Sequence, residues 1–160
     1  MKTKFILLFA CVCALLSSCT TQTRADRIRT QLLNCDESSV IVVAHRADWR
    51  NFPENSLEAI QSSIDMGVDM LEIDVQRTKD GVLMLMHDHN LDRMTNGSGN
   101  IAETTWEEIS KLNLKDHQGN LTEYKVPTLE QALLLCKDRI MINLDKADRY
   151  FDDVFALLEK

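Results

Sequence analysis

The sequence has little positive charge, few histidines and no apolar run long enough to cross a membrane. Its 18 lysines and arginines face 25 aspartates and glutamates, and the formal net charge is −7. This excess of acid argues against nucleic acid or an anionic surface as the main partner. The apolar run over residues 5–16 is too short for a membrane-spanning helix. No segment repeats at a fixed period, so a repeat architecture is not indicated.

Residues 1–18 are predicted to be a lipoprotein signal peptide. Two lysines precede the apolar run, and two serines stand directly before Cys19. This arrangement resembles the bacterial lipobox, which is cut before its cysteine and lipidated on it. We therefore expect a lipid on Cys19 to hold the mature chain in the bacterial cell envelope, on the periplasmic or outer-membrane side. Cleavage removes two positive charges, which takes the net charge from −7 to −9.

Residues 19–36 are polar and are predicted to form a tether ahead of the folded part, residues 37–160. Cys35 and Cys136 remain in the mature chain beside the anchor cysteine, and two cysteines in an oxidising compartment can pair. However, Cys136 lies on an apolar helical face, where a small buried hydrophobic residue is the favoured interpretation. We therefore expect no disulfide.

The folded part alternates predicted strands and helices. Strands are predicted over residues 40–44, 69–75 and 139–145, and residues 82–86 form a further extended run after a turn. Capping residues mark the helices: Asn55 or Ser56 before the first and Gly67 after it, Thr105 with Glu108, and Thr128 with Gln131. This order predicts a parallel sheet with right-handed crossovers.

The predicted sheet is unfinished. About 120 residues carry three strand–helix units, whereas a full eight-unit barrel usually takes ~200 residues or more. We therefore expect the chain to be the front part of a longer protein. Without neighbouring units, the last strand and the apolar face of the last helix would be exposed, so we do not expect the chain alone to be a stably folded, active enzyme. That helix face contains Phe151, Val154, Phe155 and Leu158.

Acidic residues alternate along the second strand. Glu72 and Asp74 share one face of it and lie ~6–7 Å apart, a spacing at which two carboxylates can grip one hard cation. On an exposed edge strand such acids would simply be solvated. A strand flanked by helices is central, however, and unpaired acids there are costly without a cation, so the metal interpretation is favoured. Asp145 ends the third strand and either completes the site or caps the following helix.

Two of the four histidines end strands beside these acids. His45 and His87 would point at the same mouth of a closed barrel, where one can act as a base and the other as an acid. A single histidine is more often structural, but two at equivalent strand ends favour catalysis. Arg46 presents a planar cation that suits a phosphate oxygen, and its alternative is a salt bridge to Asp48 or Glu54.

Taken together, these residues resemble the motifs of the glycerophosphodiester phosphodiesterases. That family has a His-Arg-Gly motif, then Pro-Glu-Asn-Thr, Glu-x-Asp-Val and His-Asp, and a metal-binding acid at the end of its third strand. The resemblance spans about residues 40 to 147, in order and with family-like spacing. The matching segments are His45-Arg46-Ala47, Pro53-Glu54-Asn55-Ser56, Glu72-Ile73-Asp74-Val75 and His87-Asp88.

The resemblance implies an α/β fold, a TIM barrel of eight strand–helix units with a small insertion over about residues 78–126. It implies that Mg²⁺ or Ca²⁺ binds Glu72, Asp74 and Asp145, and that Arg46 binds the substrate phosphate. His45 and His87 would be the acid–base pair. The implied reaction is hydrolysis of a glycerophosphodiester to glycerol 3-phosphate and an alcohol.

Three positions depart from the family pattern. Ala47 replaces a glycine, which costs little unless the backbone there needs a positive φ. Asp145 stands where glutamate is more usual. The lysine expected two residues later is Ala147, and Lys146 would face the other way on a continuing strand, so we assign it no role. Two other functions stay open: a phospholipase D-like enzyme acting on intact lipid, and an inactive fragment or binding lipoprotein.

Overall fold

The computed structural model of the protein describes residues 22–34 and 40–160. The signal peptide and the lipid on Cys19 fall outside these residues and stay predictions. Cys35 also lies outside the described residues. The strands are β1 (Val43–His45), β2 (Met70–Arg77), β3 (Leu83–Leu85), β4 (Asn113–Lys115), β5 (Leu121–Lys125) and β6 (Met141–Asp145). Each predicted strand is found, and β1 begins later than predicted and includes His45.

The described residues also form five α-helices and two 3-10 helices. They are α1 (Arg24–Asn34), α2 (Leu57–Met66), α3 (Trp106–Ile109), α4 (Leu129–Cys136) and α5 (Phe151–Leu158), with 3-10 turns at Ile101–Glu103 and Ala147–Tyr150. The predicted caps are confirmed. The Ser56 side chain accepts the Ala59 N–H, and Gly67 ends α2 with φ of 80°. Both predicted capping boxes are present.

Strand β2 is the centre of a four-stranded sheet. It pairs in parallel with β1 on one side and with β6 on the other, which confirms the predicted parallel sheet. His45 lies opposite Glu72, and Asp74 lies opposite Asp145. Strand β3 pairs antiparallel with the end of β2. The register therefore places the predicted site residues along the carboxyl ends of neighbouring strands.

The main hydrophobic core lies between this sheet and its helices. Leu71, Ile73 and Val75 on β2 are fully buried against α2 and α4. The acids predicted to alternate with them therefore share the opposite face. Cys136 belongs to this core as a free thiol, and burial raises its pKa to about 12.

The segment implied as an insertion, residues 78–126, has buried side chains of its own. Strands β4 and β5 form a separate two-stranded sheet there. A second apolar cluster joins them to β3 and consists of Met84, Met86, Leu91, Met94, Ile101, Ile109, Leu114 and Val126. Because this cluster is distinct from the main core, the insertion packs as a small unit on the edge of the sheet.

The expectation that residues 19–36 form a tether is wrong for Arg24–Asn34, which form helix α1. The Arg24 guanidinium donates to the carbonyl oxygens of Gly67, Val68 and Arg139 at 2.7, 2.6 and 3.0 Å. Ile28 is buried beneath the helix, 4% exposed. These carbonyls lie just before or at the start of β2 and β6, so α1 docks at the amino end of the sheet. None of the described helices has the length and hydropathy of a membrane span.

Helix α5 buries only part of its predicted apolar face. Val154 is 6% exposed, whereas Phe151, Phe155 and Leu158 are 66%, 51% and 58% exposed. Within residues 22–34 and 40–160, β6 pairs only with β2, so no further unit covers this side. The expected exposure of this helix face is confirmed for the described chain.

The docking of α1 gives a first testable prediction. Arg24→Ala should lower the free energy of unfolding by about 2 kcal/mol, because three carbonyl oxygens lose a charged donor. Arg27→Ala is the matched control, since among the described residues its guanidinium donates only to the Gln22 carbonyl oxygen on the surface. Denaturant unfolding of both variants checks this, and equal stability of the two would show that the α1 contacts contribute nothing.

Candidate active site

Three carboxylates converge where β2 and β6 approach their carboxyl ends. Glu72, Asp74 and Asp145 each offer one oxygen, and these atoms lie within 4.8 Å of one another. Asp74 is fully buried, Glu72 half-buried and Asp145 exposed. Three carboxylate oxygens open to solvent on one side suit a hard divalent cation such as Mg²⁺ or Ca²⁺. The structure thus brings together the three acids that the sequence selects.

The side chain of one loop residue, Asn55, binds both the carboxylate and the backbone N–H of Asp74. The Asn55 amide donates to Asp74 Oδ2 at 2.9 Å, and its oxygen accepts the Asp74 backbone N–H at 3.1 Å. Asn55 has φ of 60°, a conformation that asparagine tolerates better than most residues. Burial alone would raise the pKa of Asp74, but hydrogen bonds from Lys146 and Asn55 outweigh it and leave that pKa below its ordinary value. Asp74 is therefore ionised in the folded protein.

Lys146 is a member of the site, so the sequence-based expectation that it faces away was wrong. The strand does not continue past Asp145, because Lys146 has φ of 63° and turns the chain. Its ammonium group bonds to Asp74 Oδ1 and lies 3.3 Å from Asp145 Oδ2. A single left-handed residue therefore places a lysine beside two of the three acids.

His45 and Glu72 lie side by side at the ends of β1 and β2. His45 Nε2 is 3.9 Å from Glu72 Oε2, and the histidine side chain is 65% exposed. The other anchor of Glu72 is the Arg46 backbone N–H, which donates to Oε2 at 3.0 Å. The ring is thus open to solvent on one side and next to a carboxylate on the other.

The Arg46 guanidinium lies deeper than the histidine. Its Nη1 bonds to the Glu54 carboxylate at 3.2 and 3.3 Å, which matches one of the two salt bridges considered from the sequence. Asp48 instead accepts hydrogen bonds from Asn51 and Ser62. Arg46 Nε lies 3.8 Å from Asp74 Oδ2, and within the described residues it is the one buried side-chain polar atom without a hydrogen-bond partner. A buried guanidinium donor is thus left for a further acceptor.

Ala47 occupies a backbone conformation that favours glycine. Its φ is 62°, and its side chain is buried, 4% exposed. The backbone here does need a positive φ, so replacing the family glycine with alanine is costly, and the strain is about 1–2 kcal/mol. This bend turns the chain from β1 into the loop that carries Glu54 and Asn55.

His87 is oriented by the acid that follows it. Its Nδ1 lies 2.7 Å from Asp88 Oδ1, and Arg93 binds the same carboxylate at 2.6 and 3.0 Å. The Arg93 hydrogen bonds hold the pKa of Asp88 far below its usual range despite partial burial. An ionised carboxylate only accepts, so Nδ1 carries the proton and Nε2 is the free nitrogen of the neutral ring. The Gln76 amide also donates to the His87 carbonyl oxygen at 3.3 Å.

The two remaining histidines lie outside this arrangement, in line with the absence of an assigned role. His89 Nε2 lies 3.2 Å from Arg149 Nη1, and the His117 ring packs edge-on against Trp49 with centroids 6.0 Å apart. The sequence analysis gave Asn55 only a possible capping role and did not single out Arg93, because the partners of both side chains are distant in the chain.

The parallel strands β1, β2 and β6 alternate with helices, carry His45 and the three acids at their carboxyl ends and define part of a TIM barrel. His87 follows β3, which is antiparallel to β2, so the expectation that the two histidines end equivalent strands is wrong. The model of the glycerophosphoryl diester phosphodiesterase family matches residues 45–159, and the chain belongs to this family. A crystal structure of a glycerophosphoryl diester phosphodiesterase from Parabacteroides distasonis superposes on it with a TM-score of 0.74 and 33% identity. That match covers 86% of this chain and 48% of the other. The predicted barrel fold is thereby confirmed.

Curated relatives agree with the family match. A glycerophosphodiester phosphodiesterase of Caldanaerobacter subterraneus is 39% identical over 107 residues, covering 66% of this chain and 44% of its own. A protein of the same name from Bacillus subtilis is 34% identical over 141 residues, covering 82% of this chain and 47% of its own. The chain spans about half the length of the relatives it matches.

The two hydrogen bonds between the Asn55 side chain and Asp74, called the clamp below, give a second prediction. Asn55→Gly keeps a backbone that accepts positive φ but removes both side-chain hydrogen bonds to Asp74, and it should lower the free energy of unfolding by roughly 2–3 kcal/mol. Asp138→Gly is the matched control, because Asp138 has φ of 63° but is exposed at the other end of the sheet. Thermal or denaturant unfolding measures both. If the two variants lose equal stability, the effect comes from the backbone and not from the clamp.

Proposed function

We propose that this protein is a metal-dependent phosphodiesterase that hydrolyses glycerophosphodiesters to glycerol 3-phosphate and an alcohol. The observation that carries the proposal is the convergence of three carboxylates beside His45 and Arg46, in a chain of this family. Phosphate diesters are anionic, and their hydrolysis needs positive charge on the phosphoryl oxygens and a proton for the leaving group. The site offers groups for each need.

The cation would be Mg²⁺ or Ca²⁺, held by Glu72, Asp74 and Asp145. A bound divalent cation supplies Lewis-acid stabilisation of the charge on a phosphoryl oxygen. The fit rests on the donor set, since carboxylate oxygens are the ligands these hard cations prefer. Lys146 adds a second positive charge beside Asp74 and Asp145. The chain thus gathers both ligands and supporting charge at one point.

Arg46 is the group that best suits the substrate phosphate. Its Nε is buried and has no hydrogen-bond partner among the described residues, although buried guanidinium donors are normally satisfied. Glu54 fixes the other edge of the guanidinium, so the planar group is held in place before substrate arrives. A phosphate oxygen would complete the hydrogen bonding of this side chain.

His45 and His87 are proposed as the acid–base pair. The free Nε2 of His87 can accept a proton from the attacking nucleophile, because Asp88 holds the proton of the neutral ring on Nδ1. His45 is solvent-accessible beside Glu72, from where it can deliver a proton to the leaving alkoxide. Each histidine therefore has one role, fixed by its neighbouring carboxylate.

Substrate choice separates this proposal from the other enzyme reading. The full-length gene product, in which the variants below are also made, should release glycerol 3-phosphate from glycerophosphocholine when incubated with Mg²⁺ or Ca²⁺. Release of choline or of phosphatidic acid from intact phosphatidylcholine, with glycerophosphocholine untouched, would favour a phospholipase D-like enzyme. Metal binding without turnover of either compound would point to a binding protein.

The metal ligands give a third prediction. Glu72→Gln and Asp74→Asn should each weaken Mg²⁺ or Ca²⁺ binding and abolish hydrolysis of glycerophosphocholine, because the cation loses a charged ligand. Glu107→Gln, at an exposed acid that pairs with Lys111 on the surface, is the matched control. Isothermal titration calorimetry measures the binding, and circular dichroism checks the fold. Full activity of either variant at limiting metal would contradict the assignment.

The histidine pair gives a fourth prediction. His45→Ala and His87→Ala should each lower kcat on the order of 10²–10⁴-fold, and the unmodified protein should show a bell-shaped pH–rate profile. His117→Ala, on the insertion surface beside Trp49, should leave the rate unchanged. A variant of His45 or His87 that keeps its rate while metal still binds would show that this histidine is structural.

A further inference from the structure

Arg93 is a residue of the insertion that reaches the site. It lies between β3 and the 3-10 turn Ile101–Glu103, in a segment anchored by its neighbours. Leu91 and Met94 on either side of it are buried in the second apolar cluster, 1% and 3% exposed. The base of the Arg93 side chain is therefore fixed by the packing of the insertion, while the guanidinium extends towards the barrel.

The Arg93 guanidinium binds two carboxylates at once. Its Nε and Nη2 donate to Asp88 at 2.6 and 3.0 Å. Its Nη1 and Nη2 donate to Glu54 at 3.2 and 2.7 Å. Both contacts are bidentate, which fixes the angle as well as the distance between partners. The hydrogen bonds to Asp88 and to Glu54 also raise the pKa of Arg93 above its usual value, so the group stays charged.

Each of the two carboxylates contacts a residue of the proposed chemistry. Asp88 Oδ1 lies 2.7 Å from His87 Nδ1, and Glu54 binds Arg46 Nη1 at 3.2 Å. The five side chains form one continuous series: His87, Asp88, Arg93, Glu54 and Arg46. Its two ends are the proposed proton acceptor and the proposed phosphate ligand. Arg93 is the member that joins the two halves.

We propose that Arg93 is a positioning residue that sets the placement of His87 relative to Arg46 by bridging Asp88 and Glu54. The inference rests on the proposed phosphodiesterase function. His87 already belongs to the insertion, and Arg93 ties a further part of it to the site, because its neighbours Leu91 and Met94 are packed in the second apolar cluster. Arg93 itself contacts neither a candidate metal ligand nor either histidine in the structure described here.

The exposure of these groups argues for positioning more than for stability. The Arg93 side chain is 46% exposed, and ion pairs with that much solvent contribute little to folding. Glu54, by contrast, is only 12% exposed and is shared between Arg93 and Arg46. Without Arg93, Glu54 would pair with Arg46 alone. The Asp88 carboxylate would lose the bidentate contact that fixes its orientation. Both ends of the series would shift.

Lysine cannot replace this arrangement. An ammonium group is a point charge without a planar fork, so it can reach one carboxylate well but cannot hold two in fixed orientation. Arg93→Lys should therefore recover part of the function lost in Arg93→Ala. Arg139→Ala is the matched control, since Arg139 is 40% exposed, lies 4.0 Å from the Asp65 carboxylate and sits at the amino end of β6.

Steady-state kinetics on glycerophosphocholine test the inference. In Arg93→Ala we expect kcat to fall on the order of 10–100-fold and KM to rise, because both the proton acceptor and the phosphate ligand are misplaced. A variant that merely contained less folded protein would lower kcat and leave KM unchanged. Arg139→Ala should change neither constant. Unchanged kcat and KM in Arg93→Ala, with an active wild type, would overturn the inference.

A double-mutant cycle tests the route through Asp88. If Arg93 acts on His87 through this carboxylate, Arg93→Ala should lower kcat less in an Asp88→Asn background than in the wild type, and the remaining loss should come from the branch through Glu54 and Arg46. Fully additive losses in kcat would mean that Arg93 acts on His87 by some other path, and the inference would fail.

The tautomer of His87 gives a readout that needs no turnover. In the neutral ring of the wild-type protein, nitrogen NMR should show the proton on Nδ1, and in Arg93→Ala a mixture of both tautomers. If the wild type is inactive on glycerophosphocholine, the proposed function fails, and this spectrum still decides whether Arg93 positions His87. An identical Nδ1-protonated ring in both proteins would refute the positioning role.

Discussion

The burial of one ionised carboxylate at the centre of the sheet is the constraint on which the site depends. Asp74 has no exposed surface, and a charge in such a place is costly unless it is paired and hydrogen-bonded. Three segments supply its partners: Asn55 from the loop before α2, Lys146 from the end of β6 and, at 3.8 Å, Arg46 from the end of β1. Satisfying this single charge draws the ends of three strands together.

Much of the fold follows from local sequence signals. Ser56 and Gly67 bound α2, and Thr128 with Gln131 begins α4, because each cap is decided by residues within one helical turn. Helix α1 was missed for the opposite reason. Arg24 stabilises it through carbonyl groups more than forty residues away in sequence, and a polar segment gives no sign of such partners.

The residues of the site also fall into two groups, those that local sequence signals predict and those that they do not. The acids of β2 could be predicted because alternation along a strand is a local property, and Glu72 and Asp74 do share a face with Asp145 nearby. The position of Lys146 could not be predicted, because its own positive φ reverses the direction of its side chain. The Arg93 contacts depend on how the insertion packs against the barrel, which no spacing in the sequence records.

The positive φ angles around the site have a consequence for its dynamics. Four of the five non-glycine residues with this conformation in the described chain lie there, namely Arg46, Ala47, Asn55 and Lys146. Each such conformation costs on the order of 1 kcal/mol or more and persists only where packing excludes the alternatives. The loops therefore lose their conformational entropy when the chain folds, and a ligand that arrives later has little left to order. Rigidity of the site and reduced stability of the whole protein are two results of the same strained backbone.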